Sequence, residues 1–140
     1  MIILTKKINA DLGILILRIS LGVLMLFHGV FKLTEGFDFI KSVLSEHGLP
    51  QFLWLGVLVM EVIAPILLIL GIFTRFSGLG IAILMIFSIY LARLSEAFTL
   101  NQFGGLGGEL NFLFLFGGLS LFFTGGGQYS LYKPSNDWLK

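Results

Sequence analysis

The sequence predicts an all-α integral membrane protein: an antiparallel four-helix transmembrane bundle with a short surface helix between the first and second spans. Three observations predict it. Of 140 residues, 56% are hydrophobic and 12% charged, and the mean hydropathy is +0.98, well outside the soluble globular range. The apolar segments are apolar on nearly all sides, as helices are when lipid and other helices surround them. Four such segments, at about residues 12–33, 51–73, 76–98 and 109–124, are separated by short connections within one domain of residues 1–140.

The lead-in to Asp11 is amphipathic and carries Lys6 and Lys7, with Asn9 or Asp11 placed to cap the first helix. The first apolar run contains Arg18, is too long for a secretory signal and lacks a small-x-small cleavage site, so it is expected to be retained. At 100° per residue, Arg18, His28 and Lys32 share an arc of about 80°, with Gly22 and Gly29 on or beside it. One side of this helix is therefore polar and thin, suited to close helix approach. Arg18 and Lys32 either point into the bundle or snorkel to its ends. His28 is either a neutral histidine bonded to a carbonyl or a functional group.

Thr34 to Pro50 is the one mixed-polarity segment. Phe37, Ile40, Val43 and Leu44 recur at helical spacing opposite Asp38, Lys41, Ser45 and Glu46, which predicts an amphipathic surface helix closed by Gly48 and Pro50. His47 belongs to this solvated segment. The second span carries the most informative residue. Glu61 lies in the unbroken apolar run Val57 to Leu70, where a charge costs about 2.5 to 3.5 kcal/mol at the helix centre, so it should face other helices or a wet cavity and have a partner. Pro65, one turn on, removes a backbone hydrogen bond beside it. Glu61 as a neutral packing residue is the alternative.

Thr74 to Gly78 is a tight connection. The third span places Tyr90 and Arg93 on one face, and the fourth begins at Glu109 after the glycine cluster Gly104-Gly105-Leu106-Gly107-Gly108 and stops at Gly125-Gly126-Gly127. That cluster lacks dinucleotide-fingerprint spacing, so it is a hinge or a set of free N–H groups at a helix start. The tail from Gln128 is polar and is expected outside the membrane.

Alternation of the spans puts Lys6, Lys7, Arg75, Lys133 and Lys140 on one side, which the positive-inside rule makes cytoplasmic together with both termini. Counted at 1.5 Å per residue, Glu61, His28, Glu109, Arg93 and Tyr90 come to a common depth about 18 to 26 Å up. Two acids, Arg93, His28 and nearby Lys32 nearly cancel in charge, as either a structural knot or an active site requires. The absence of cysteine excludes a disulfide, a thiolate nucleophile and a cysteine-ligated iron–sulfur cluster. No haem is expected, because His47 is not on a spanning helix, and no metal, although His28, Glu61 and Glu109 are a conceivable ligand set. A net charge of +1 points to no nucleic-acid partner.

Leu15 to Leu131 contains LILRISLGVLMLFHGVFKL in the first span, Gly48-Leu49-Pro50, the Glu61 helix, Leu70 to Arg75, Gly-Gly-x-Gly-Gly-Glu before the fourth span, and Thr124-Gly-Gly-Gly-Gln-Tyr-Ser-Leu131. In the order and spacing of these pieces the chain resembles the DoxX family of small bacterial four-helix membrane proteins. By resemblance His28, Lys32, Glu61, Arg75 and Glu109 occupy motif positions. Gly108 stands where a tyrosine often precedes the last glutamate, and Arg93 where many relatives have a histidine.

The resemblance implies a redox association in the bacterial cytoplasmic membrane, since some members are subunits of thiosulfate:quinone oxidoreductases. The expectation is a multi-pass protein surrounded by membrane lipid that binds a quinone-like lipid-soluble molecule, alone or with a redox partner subunit. Glu61, Glu109 and His28 are its expected catalytic groups. Arg93, Lys32 and Tyr90 would hold the ligand's oxygens and Phe112 and Phe116 its ring. A non-catalytic scaffold or carrier with a structural charge cluster is the other class.

Overall fold

The computed structural model describes residues 9–139, so the expectations for Lys6, Lys7 and Lys140 lie outside the described residues. Helix α1 spans Ala10–Glu35, about 39 Å at 1.5 Å per residue. It begins where Asn9 Oδ1 accepts the Leu12 N–H at 3.0 Å and ends at Gly36, whose φ of 95° only glycine adopts readily. Helix α2, Asp38–Glu46, buries Leu44. It is pinned to the next element by Phe37 against Trp54, ring centroids 4.9 Å apart, and by Lys41 over the Trp54 ring at 5.2 Å.

Helix α3 is the continuous helical run Gln51–Leu70. It opens with a 3₁₀ turn, Gln51–Leu53, and passes through a π-helical stretch, Val59–Ile63, before returning to α geometry over Ala64–Leu70. The π-stretch sits where Pro65 cannot donate to the carbonyl of Glu61, so the local hydrogen-bond ladder is re-registered around the buried acid. The run was expected to reach residue 73, but Gly71 adopts the left-handed conformation (φ 71°) and the Ile72 N–H turns back to the Leu67 carbonyl at 2.9 Å, a glycine stop.

Helix α4, Thr74–Ala92, ends six residues before the expected 98, because Arg93 leaves helical geometry at φ −136°, ψ 14°. A single turn, α5 (Leu94–Ala97), and a loop follow, closed by Asn101 N–H to Gly105 O at 2.7 Å and Gly107 N–H to Thr99 O at 2.8 Å. Helix α6, Glu109–Thr124, completes the apolar set. Among the described residues α1, α3 and α4 are long and apolar enough to cross a membrane, whereas α6 is a shorter apolar helix.

The helices pack through small residues. Gly22 lies against Pro65 and Ile69, and Gly29 against the Glu61 carbonyl and Val62, so α1 and α3 run antiparallel in close contact. Helices α4 and α6 cross with Gly78 and Gly118 facing each other's backbone, and higher up Asn111 Nδ2 donates to Ser88 Oγ at 3.2 Å. Leu21, Met25, Leu68, Ile81, Phe114 and Leu121 fill the space between.

The lower end is closed by the C-terminal tail. Arg18, which the sequence left between pointing inward and snorkelling, is 1% exposed. Its Nη1 donates to the Gly126 carbonyl (2.9 Å) and Ser130 Oγ (2.8 Å), and its Nη2 to the Tyr129 carbonyl (3.3 Å). The tail is thus part of the bundle's end: its Leu131 N–H also donates to the Leu70 carbonyl at 3.1 Å. Arg75 Nη1 donates to the carbonyls of Phe122 (2.5 Å) and Phe123 (2.7 Å), neutralising the C-terminal end of α6.

Candidate functional site

Above the glycine contacts, α3 and α4 diverge, and α2 lies across the gap. The result is a cavity of about 780 Å³. Its walls are apolar, with Val43, Leu44, Val57, Met60, Leu84 and Phe87 among them. Gly56 contributes to the opening, since a Cβ there would meet nothing within 4 Å. Polar groups are few: Lys32 from α1, Glu61 from α3, Ser88 from α4, and Arg93 and Glu96 at the rim.

Lys32 Nζ lies 2.5 Å from Glu61 Oε1, linking α1 to α3 within one turn of the Gly29 contact. Glu61 is 5% exposed, and its second oxygen, Oε2, accepts no hydrogen bond from any described residue. Arg93 donates to the Gly107 carbonyl at 3.4 Å and lies 3.5 Å from Glu96 Oε2, both partly open to solvent. A second, polar cavity of about 330 Å³, lined by Arg93, Glu96, Thr99, Asn101 and Gly107, shares these two rim residues.

Of the residues singled out from the sequence, the cavity brings together Lys32, Glu61 and Arg93. His28 is exposed on the flank of α1 beside α6, its ring at right angles to that of Phe114 at 6.1 Å. Glu109 is exposed at the start of α6, with its carboxylate against Gly105. Tyr90 and Phe116 are 62% and 63% exposed, and Phe112 packs on Phe98 at 5.5 Å. None of these five lines the cavity. A count along the axis set His28, Glu109 and Tyr90 level with Glu61, but their side chains do not reach the α3–α4 gap. Among the described residues no group of three His, Asp or Glu side chains is placed to hold a metal ion, and His28, Glu61 and Glu109 form none.

Sequence reasoning did not single out Ser88, Glu96 or the wall provided by α2. The amphipathic spacing of α2 predicted a helix on the membrane surface, and only the packing shows that its apolar face covers the cavity.

The chain is similar to a Bacillus subtilis (strain 168) protein named "Putative oxidoreductase CatD", with 28% identity over 115 residues, 82% of this chain and 81% of that protein. No solved structure matches it. The DoxX family matches over residues 13–94, a stretch that contains Lys32, Glu61, Ser88 and Arg93. With its long apolar helices and a family match over more than half its length, the chain is a membrane protein that belongs to the DoxX family.

Proposed function

We propose that the protein is a multi-pass protein of the bacterial cytoplasmic membrane, a four-helix antiparallel bundle with both termini cytoplasmic, which binds a quinone-like lipid-soluble molecule between α3 and α4. It would serve redox chemistry alone or as a subunit of an oxidoreductase complex. The observation that carries this reading is the cavity, whose volume of about 780 Å³ suits a small ligand and whose apolar walls end in a few convergent polar groups. The oxidoreductase name of the Bacillus subtilis relative adds the redox association.

The residues present fit such a ligand. Leu84, Phe87 and Met60 offer apolar surface for a ring, and Lys32, Ser88 and Arg93 offer donors for ring oxygens. Glu61, the buried acid on the lining, is the group placed to hold or release a proton there. A quinone carries two electrons and two protons; with no cysteine in this chain, the electrons would pass through a bound cofactor or a partner subunit. Arg75 and Lys133, both at the tail-closed end, support the cytoplasmic assignment of that end.

A second reading rests on the Lys32–Glu61 pair itself. It bridges α1 and α3 beside their closest contact, as a scaffold needing only a fixed helix register would require. Mass spectrometry of lipid-soluble molecules that co-purify with the native protein separates the two. A ring compound that disappears from Gly56→Trp, where the new side chain fills the cavity, supports ligand binding. A preparation that carries none and takes up no added quinone refutes it and leaves the scaffold.

A further inference from the structure

The polar end of the cavity is unbalanced in its hydrogen bonding. Lys32 Nζ has three N–H groups, of which one meets Glu61 Oε1. Ser88 Oγ accepts from Asn111 Nδ2 at 3.2 Å, which leaves its own hydroxyl hydrogen to donate. Arg93 has donors only. On the acceptor side, Glu96 stands at the open rim, its side chain 69% exposed and 3.5 Å from Arg93 Nη2. Glu61 Oε2 is different: it is buried in the bundle and accepts no hydrogen bond from any described residue. The unmet need at this site is therefore for a donor brought by the ligand.

We propose that the cavity is built for the reduced form of its ring ligand, a hydroquinone whose hydroxyl donates to Glu61 Oε2. This rests on the reading of the cavity as a quinone site and adds which redox form it prefers. A quinone oxygen accepts from Lys32 but cannot donate, so it leaves Glu61 Oε2 unpartnered. A hydroquinone hydroxyl does both, accepting from Lys32 and donating to Glu61 through one oxygen. Glu61 lines the cavity, and this contact requires its carboxylate to turn about the soft terminal torsion until Oε2 meets the cavity. Lys32 donates to Oε1, so the Glu61 side chain meets the ligand with oxygen lone pairs.

The test compares tetramethyl-p-hydroquinone, tetramethyl-p-benzoquinone and the hydroquinone's dimethyl ether, by anaerobic equilibrium binding to the purified full-length protein in nanodiscs. The rings are fully substituted, so they do not add to lysine. The hydroquinone is expected to bind at least tenfold more tightly than either other compound; against the quinone, that raises the potential of the bound couple by about 30 mV. In Glu61→Gln the amide oxygen takes the Lys32 N–H and the amide nitrogen offers only donors, so the preference should reverse toward the quinone.

The wild-type comparison stands by itself if that variant does not fold. Equal affinities for hydroquinone and quinone, or for hydroquinone and its dimethyl ether, overturn the inference and leave the quinone site intact. Binding of no ring compound overturns both. Hydroquinone binding that persists in Gly56→Trp places the ligand elsewhere and also overturns it.

Discussion

Gly29→Ala tests the packing that sets the polar end of the cavity. A Cβ at Gly29 would fall inside the van der Waals shell of the Glu61 carbonyl, with Val62 Cγ2 at 2.8 Å. The carbonyl belongs to the backbone and cannot rotate aside, so α1 and α3 must separate by roughly one and a half ångströms to restore an ordinary contact of about 3.5 Å. Overpacking of this kind costs about 1 to 3 kcal/mol. Gly13, in the same helix, is the control, because a Cβ there meets nothing within 4 Å and alanine gains up to about 1 kcal/mol of helix propensity. The two variants should differ by about 2 kcal/mol or more, with Gly29→Ala the weaker. Reversible unfolding in mixed detergent micelles measures the gap. Lys32 lies one turn beyond Gly29, so the same separation should lengthen the Lys32–Glu61 contact and weaken ligand uptake. Equal stability of the two alanine variants would refute the close packing described for α1 and α3.

Arg18→Met should cost several kcal/mol, since three tail acceptors lose a charged donor worth about 1.5 to 3 kcal/mol each, and limited proteolysis should then cut after Gly125; an uncut tail would contradict its anchoring role. Arg18→Lys should not rescue it, because a single ammonium cannot fork to Gly126, Ser130 and Tyr129. Lys32→Met leaves Glu61 buried without its cation and should lose about 3 to 5 kcal/mol, whereas Lys32→Met with Glu61→Leu should recover most of it; a double variant as unstable as the single one would show that the pair is not the reason. Reporter fusions should place the Lys133 end in the cytoplasm, and an external reporter there would reverse the proposed topology.

Composition alone determined the class of this protein, because runs apolar on nearly all sides have no stable alternative to lipid and one another. The cost of an acid in such a run also made Glu61 legible as buried and in need of a cation. Pro65 announced the disturbed backbone beside it, which the fold resolves as a π-stretch. Helix ends were legible at Asn9 and Gly125, where a capping side chain and a glycine fix them, and less so at Gly71, where the helix was expected to run on to residue 73, and at Arg93, which has no local stop signal. What sequence periodicity cannot supply is the rotation of each helix about its own axis, which is set by which glycines meet which backbones. The packing left His28, Glu109 and Tyr90 out of the cavity although a count along the axis set them level with Glu61, chose Lys32 as its partner, and brought Arg93 to the rim. The tail's grip on Arg18 was equally hidden, because residues 108 to 112 positions apart in sequence meet only once all the helices have packed.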